Sequence, residues 1–371
     1  MFRVKAILVF VLVATLLLFS SFLTSGLADG GANHRVRNLH LGVSGGNVND
    51  ATRRFCCSGT LGSLVSDGTN KYILSNNHVL GRGDQATVGD DISQPGLIDN
   101  NCAISTIVAD YTGASPLGSN VDAAVAQLRP GLMDGTGSIE DIGVPSGTVV
   151  NPSVGLGVAK SGRTTGFTTG TIASINTSVS VQYTKDCGGG KKFVVSYTNQ
   201  VVINSTTFSA GGDSGSLIVT NNASHNPVAL LFAGSSSTTI GNPVGEVLTK
   251  LGTALGRTFS FNLGGGGAAA TVLGGDMGGG GRQPFTPGLA GLMQLPQQAA
   301  DRALAVLEVH RASLMFTPGV MGAGVGASDR ADNEAAIVLY VNKNSANRPN
   351  LPDSIDGVPV TVVLTDEFVA R

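Results

Sequence analysis

Three separated stretches of this chain hold a nucleophile, a base and an acid. The nucleophile candidate is Ser214, within Ser209-Ala210-Gly211-Gly212-Asp213-Ser214-Gly215-Ser216-Leu217-Ile218-Val219. Glycines on both sides of the serine let the backbone turn sharply and let a substrate come close. Such a turn could aim the N–H groups of Gly212 and Ser214 at one point, as an oxyanion hole requires. A serine hydroxyl is a poor nucleophile without a base, and in a chain with 53 glycines the same stretch also reads as an ordinary turn. Of the five histidines, His34 and His40 lie near the start, His225 follows the serine, and His310 sits in a helical segment. His78 differs from these. It closes the β-rich run Lys71-Tyr72-Ile73-Leu74-Ser75-Asn76-Asn77-His78, where a strand ends at turn-forming residues and scaffolds often place catalytic groups. Taken alone, it also reads as a surface-loop histidine. The acid candidate is Asp122, which opens the apolar run Val121-Asp122-Ala123-Ala124-Val125-Ala126. A carboxylate there is costly to bury unless it is hydrogen-bonded, and a helix or strand cap fits the local pattern equally well. Asp84, Asp90, Asp91, Asp99 and Asp110 are weaker rivals in more polar surroundings.

The chain order His, Asp, Ser is the one that this triad geometry takes on paired β-barrels. The flanking residues Gly59-Thr60-Leu61-Gly62, Leu74-Ser75-Asn76-Asn77-His78-Val79, Val121-Asp122-Ala123-Ala124 and Gly211-Gly212-Asp213-Ser214-Gly215 resemble those of the trypsin-like (chymotrypsin-fold) serine peptidases. Lys160-Ser161-Gly162-Arg163-Thr164-Thr165-Gly166 and Leu230-Leu231-Phe232-Ala233-Gly234-Ser235 resemble the bacterial branch. The resemblance covers roughly residues 38 to 262. It implies two antiparallel Greek-key β-barrels, with His78 and Asp122 on the first and Ser214 on the second. It also implies a serine endopeptidase that acts on protein or peptide substrates and needs no cofactor or metal. Gly212 and Ser214 would form the oxyanion hole. Asp213 would point away from the nucleophile into the second barrel, with Arg163 as its expected partner. Phe208, or Thr206 or Ser209 if the alignment shifts by a residue or two, would floor the substrate pocket and Phe232, Ala233 and Gly234 would wall it, so uncharged side chains, small or apolar with Phe208 as the floor, are expected before the cut. Two other activities use the same residues: an esterase with this triad, and a binding protein on an inactive peptidase scaffold.

The rest of the chain must position these groups. From Leu39 to about Asn262, short β-rich runs alternate with Gly, Asn, Asp, Ser and Pro, which suggests an antiparallel barrel or sandwich. Examples are Thr60 to Val65, Tyr72 to Ser75, Ile104 to Ala109, Gly170 to Ile175, Ser178 to Tyr183, Phe193 to Ile203, Ser216 to Val219 and Val228 to Ala233. Pro243 to Leu251 is amphipathic and begins with proline, so a short closing helix is expected. The chain has 371 residues, of which 42% are hydrophobic, enough for a sizeable core. Its 23 basic and 25 acidic residues leave a formal net charge of −2. No basic block points to nucleic acid.

Residues 1–28 read as a signal peptide. Arg3 and Lys5 precede an apolar run, and Gly26-Leu27-Ala28 places small residues at a cleavage position. The rival reading is an uncleaved anchor, the one route by which a membrane would become a partner. Either way the body of the protein is expected outside the cytoplasm, secreted or periplasmic. Oxidation of Cys56, Cys57, Cys102 and Cys187 is then expected, and four cysteines allow three complete pairings. Adjacent cysteines rarely bond each other. One of Cys56 and Cys57 is therefore expected to pair with Cys102, bridging the first barrel, and the other with Cys187. No histidine sits at ligand spacing for a zinc site. Unlike many trypsin-like enzymes, this chain has no cysteine just after the histidine.

Past the peptidase region the composition changes. Residues 263–296 contain pure glycine runs and read as a flexible linker. Residues 297–371 read as a small α+β unit of unknown role, with a helix over Gln297 to Leu314 and strands over Val320 to Ala327, Ala335 to Val341 and Val358 to Leu364. The linker is expected to let this unit move independently of the peptidase.

Overall fold

The computed structural model describes residues 34–35, 39–263, 272–273, 295–345 and 350–370. The expected signal peptide and most of the glycine linker lie outside the described residues.

The first barrel contains β1 (Val43–Asn47), β2 (Gly59–Leu61), β3 (Ser63–Ser66), β4 (Lys71–Ser75), β5 (Asp91–Gln94), β6 (Thr106–Ser115) and β7 (Ala123–Leu128). A four-residue helix, α1 (Asn77–Leu80), follows β4. The sheet order is β2-β1-β5-β6-β7-β4-β3. Only Gly62 separates β2 from β3, so one bent strand pairs with β1 at its start and β4 at its end, closing the sheet. The barrel is filled by Leu64, Tyr72, Leu74, Ile92, Val108 and Val125, among others.

After β8 (Val149–Val150), the second barrel contains β9 (Gly157–Gly162), β10 (Gly166–Asp186), β11 (Gly189–Asn204), β12 (Leu217–Thr220), β13 (Pro227–Gly234) and β14 (Thr238–Pro243). The order β11-β14-β13-β12-β9-β10 returns to β11 through a direct β10–β11 pairing, so this sheet closes without β8. The expected strands at Gly170 to Ile175 and Ser178 to Tyr183 are one strand. Irregular register between Ile172 and Val179 bends β10 instead of ending it. The helix α2 (Val244–Leu255) starts at Pro243, as its sequence predicts. Val244, Val247, Leu248 and Leu251 share its apolar face, and that face packs into the first barrel's core. Gly256 ends the helix in the left-handed conformation, where glycine has no Cβ penalty.

Beyond it lie β15 (Val272–Leu273), which pairs with β8, then α3 (Gln297–Phe316), β16 (Val320–Ala327), β17 (Ala335–Asn342), β18 (Ser354–Ile355), β19 (Val358–Thr365) and β20 (Val369–Ala370). Helix α3 buries Ala303, Leu307 and Leu314 against β16 and β17. The expectation that this unit moves independently does not hold. β16 pairs antiparallel with β10, from Ser174↔Gly326 to Val179↔Gly322, so the unit's sheet continues that of the second barrel. Backbone ladder bonds and a shared core containing Val179, Tyr183, Phe232, Tyr340 and Phe368 hold the two together.

The cysteine pairing is as expected. Cys56 bonds Cys102 and Cys57 bonds Cys187. The second bridge ties the loop after β1 to the tip of the β10–β11 hairpin across 130 residues of sequence.

Candidate active site

His78 sits on α1, one turn past the end of β4. Both asparagines before it hold the local backbone. Asn76 Nδ2 donates to the Asp122 carbonyl at 2.7 Å. Asn77 Nδ2 donates to Asp84 Oδ1 and to the Ser115 carbonyl, at 2.6 and 2.9 Å. These bonds bring the start of β7 to the helix, and Asp122 Oδ2 meets His78 Nδ1 at 2.6 Å. The backbone N–H of His78 donates to the other oxygen, Oδ1, at 3.1 Å. The Tyr183 hydroxyl, reaching across from β10, donates to Oδ2 at 2.9 Å. The carboxylate is fully buried, yet three donors satisfy it, which meets the cost of placing it there. Burial and the neighbouring carboxylate hold the Tyr183 phenol well above its usual range, so it remains a donor.

The rival acids have other partners. Asp99 takes Arg163, Asp91 and Asp110 take Arg129, Asp84 takes Asn77, and Asp90 takes Asn47. Among the other histidines, His34 bonds the Gly42 carbonyl and Asp141, and His310 bonds Asp356 at an exposed position. Neither faces Ser214.

Ser214 lies on the turn before β12, and its hydroxyl donates to the Phe232 carbonyl at 3.2 Å. Gly59 lets the histidine helix and this turn approach each other: a Cβ on Gly59 would lie 2.6 Å from Val79 Cγ2 and 3.0 Å from Ser214 O. The turn is fixed by its carbonyls. Gly211 O accepts from Thr164 Oγ1 at 2.7 Å, and Asp213 O accepts from Ser216 N and Oγ at 3.0 and 2.7 Å. In a planar trans peptide the N–H points opposite to the C=O. The N–H groups of Gly212 and Ser214 are therefore turned away from Thr164 and Ser216. Among the described residues neither N–H has a protein acceptor. Gly212 reaches φ +97° and Gly215 φ +95°, values that glycine takes without strain.

The expected Asp213–Arg163 pair is not formed. Asp213 is fully buried and accepts from Ala210 N, Thr164 N, Thr165 N and Thr165 Oγ1, at 2.9, 2.8, 3.2 and 2.7 Å. Its cation is Lys160, whose Nζ lies 3.6 Å away. Lys160 is on β9 and points into the second barrel, where burial lowers its pKa to about 8 against the opposing pull of Asp213. Arg163 lies past the end of β9 and turns to the first barrel. There it makes a two-pronged pair with Asp99 at 2.5 and 2.7 Å. Its side chain still backs the oxyanion turn by packing against Gly212.

The substrate-pocket expectation also needs correction. Phe208 is fully buried in the second barrel's core with Ile172, Ile203 and Ile218, and Phe232 is buried against Tyr197, their ring centroids 4.9 Å apart. Neither ring faces a cavity. The depression beside Ser209, Ala210 and Gly211 is completed by Thr206, Ser235 and Ser236 and, from the C-terminal unit, by Asp366, Glu367, Val369 and Ala370. The Ser209 hydroxyl meets that of Thr239 at 2.6 Å, so hydroxyl groups replace the expected aromatic floor. Ala233 and Gly234 are buried on β13, paired with β14 on one side and β20 on the other.

A larger cleft of about 560 Å³ adjoins His78, bounded by Asp50, Arg82, Tyr183 and the Cys57–Cys187 bridge. Burial raises Asp50 to about 6, against the pull of Arg82 and His78. An acid that holds its proton more tightly folded than unfolded costs stability as pH climbs from about 4 to about 6, with the full loss present above 6. Asp50→Asn is therefore expected to leave stability at pH 4 nearly unchanged and to raise it by roughly 1–3 kcal/mol at pH 8. Urea titrations of both chains at the two pH values measure this, and equal midpoints at pH 8 would refute it.

Residues 73–235 match the model of peptidase family S64, a stretch that contains His78, Asp122 and Ser214. Its paired closed barrels have the arrangement of the chymotrypsin fold, and the family match supports a trypsin-like serine peptidase. Among solved structures it is similar to a glutamic acid specific serine protease (21% identity, 59% of this chain and 98% of that one, TM-score 0.41). It is also similar to Thermobifida fusca protease A (17% identity, 60% and 98%, TM-score 0.38) and to Cellulomonas bogoriensis chymotrypsin (20% identity, 60% and 98%, TM-score 0.37). No curated protein sequence matches it.

Proposed function

We propose that the protein is an exported serine endopeptidase. The observation that carries this reading is the buried Asp122 carboxylate, held by three donors and 2.6 Å from Nδ1 of His78, on a helix whose Val79 lies with Ser214 O against Gly59. Nδ1–H donating to Asp122 leaves Nε2 as the base. In this mechanism His78 takes the Ser214 proton as Oγ attacks the scissile carbonyl. The N–H groups of Gly212 and Ser214 receive the oxyanion. His78 then protonates the leaving amine, and water repeats the sequence on the acyl-enzyme. Asp122 keeps the imidazole in the right tautomer and stabilises its charged form.

Two disulfides among the described residues support export. Residues 38–262 form the peptidase unit in this reading, joined by a 263–296 linker to the 297–371 unit. The pocket beside Ser209 and Ser235 carries hydroxyls, and its two carboxylates, the half-buried Asp366 and the exposed Glu367, are already bonded to Ser236 and Gln182, so small uncharged side chains are preferred before the cut. A Lys or Arg head group buried there without a partner costs several kcal/mol. Labelling with a serine-directed phosphonate tests the central claim. Mass spectrometry should place one adduct on Ser214, and a chain that takes no label, or takes it elsewhere, would sink the proposal.

A further inference from the structure

The C-terminal unit ends in a strand that leads into the candidate active site. β20 pairs antiparallel with β13, Val369 opposite Gly234 and Ala370 opposite Ala233. The next β13 residue in that direction is Phe232, whose carbonyl accepts the Ser214 hydroxyl. β20 thus runs along β13 toward the nucleophile with its carboxyl side leading. A polypeptide presenting its carbonyl carbon to Ser214 must arrive with the same polarity.

The edge that β20 occupies is otherwise open. β12 and the turn before it cover that side of β13 up to Leu231, while β14 covers the opposite side through Gly234. From Phe232 to Gly234 an unpaired strand edge therefore lies next to Ser214, and such an edge binds an extended peptide by backbone hydrogen bonds. Here the chain's own strand fills it. Val369 and Ala370 also form part of the wall of the His78 cleft and of the depression beside Ser209.

The strand is anchored on both sides of the cleft. Phe368 is buried and meets Tyr340 edge-on at 5.9 Å. Its carbonyl accepts from Gln182 N at 2.9 Å, and Glu367 accepts from Gln182 Nε2 at 2.9 Å. Asp366 bonds Ser236, and Thr365 bonds Ser235, both on the loop after β13. β19 runs directly into this anchor, and β16 fastens the whole unit to β10.

We propose that the C-terminal unit is a built-in inhibitor, and that Val369–Ala370 occupies the β13 edge as a substrate-like strand. This rests on Ser214 being the nucleophile. The unit holds the protease latent until the strand leaves β13, and extended peptide substrates compete for the same edge. Since only the fraction with a vacant edge binds substrate, apparent affinity falls by that fraction.

The test uses three chains: the full protein, a chain ending at Phe368, and full-length Val369→Pro. Both variants keep the Phe368 anchor. Proline removes the Val369 N–H and is excluded from the middle of a sheet. Phosphonate labelling and hydrolysis of a mixed peptide library should both be on the order of tenfold or more faster in the two variants. A synthetic peptide of residues 365–371, added to the shortened chain, should slow both reactions competitively. Equal rates in all three chains with Ser214 labelled would overturn the inhibitor and leave the nucleophile standing. Absence of label in all three would overturn the nucleophile, and the inhibitor with it.

Discussion

Ser214→Ala is expected to lower peptide turnover by roughly six decades, the loss seen when a triad nucleophile is removed from an enzyme of this kind. The fold should barely notice. The Ser214 carbonyl accepts from Thr60 N at 2.8 Å and Gly215 N donates to the Leu231 carbonyl at 2.9 Å, and both are backbone bonds that alanine keeps. The hydroxyl's bond to the Phe232 carbonyl contributes about 1 kcal/mol. The variant should therefore melt close to the parent while hydrolysing almost nothing. To avoid masking by β20, turnover is best compared in chains carrying Val369→Pro. A variant that keeps even a tenth of the parent's turnover would exclude Ser214 as nucleophile.

Asp122→Asn is expected to cost about four decades. Asp122 faces three donors: His78 Nδ1–H, the His78 backbone N–H and the Tyr183 hydroxyl. An ionised carboxylate only accepts, so all three are satisfied. An asparagine has a single accepting oxygen, and its NH2 must face at least one of these donors. If the NH2 faces the ring, Nδ1 becomes the acceptor, Nε2 carries the hydrogen, and the base is lost. The neutral amide also cannot stabilise an imidazolium. Fitted values of kcat and KM separate this from loss of binding: kcat should fall and KM change little. A loss below tenfold would mean that another group orients His78.

Both variants rest on groups that were legible in the sequence because each carries a local signature. His78 follows a strand and two turn-forming asparagines, Ser214 sits among glycines, and Asp122 opens an apolar run. The expected strands and helices of the C-terminal unit were legible for the same reason. Gln297–Phe316 has helical spacing, and Val320–Ala327, Ala335–Asn342 and Val358–Thr365 are continuous β-rich runs. The awkwardness of bonding adjacent cysteines left two pairings, and the fold decided that Cys56 takes Cys102 and Cys57 takes Cys187.

The tertiary structure alone decided which distant groups meet. Tyr183 reaches Asp122 from 61 positions away, and Asn242, whose side chain accepts from Asp122 N, lies 120 positions away. Neither position has a local pattern that distinguishes it from other strand residues. Lys160 and Arg163 are three residues apart, and the sequence could not say which would face Asp213. That depended on where β9 ends. Lys160 is still on the strand and buried in the barrel, while Arg163 is beyond it and turned to Asp99. The family resemblance places Phe208 at a pocket floor, but the backbone between it and Ser214 directs its ring into the core. The terminal Val369–Ala370 shows no sign of its position in sequence. Its placement on β13 depends on β16 joining β10 and on Phe368 finding the second barrel's core, and those long-range contacts exist only once both units have folded against each other.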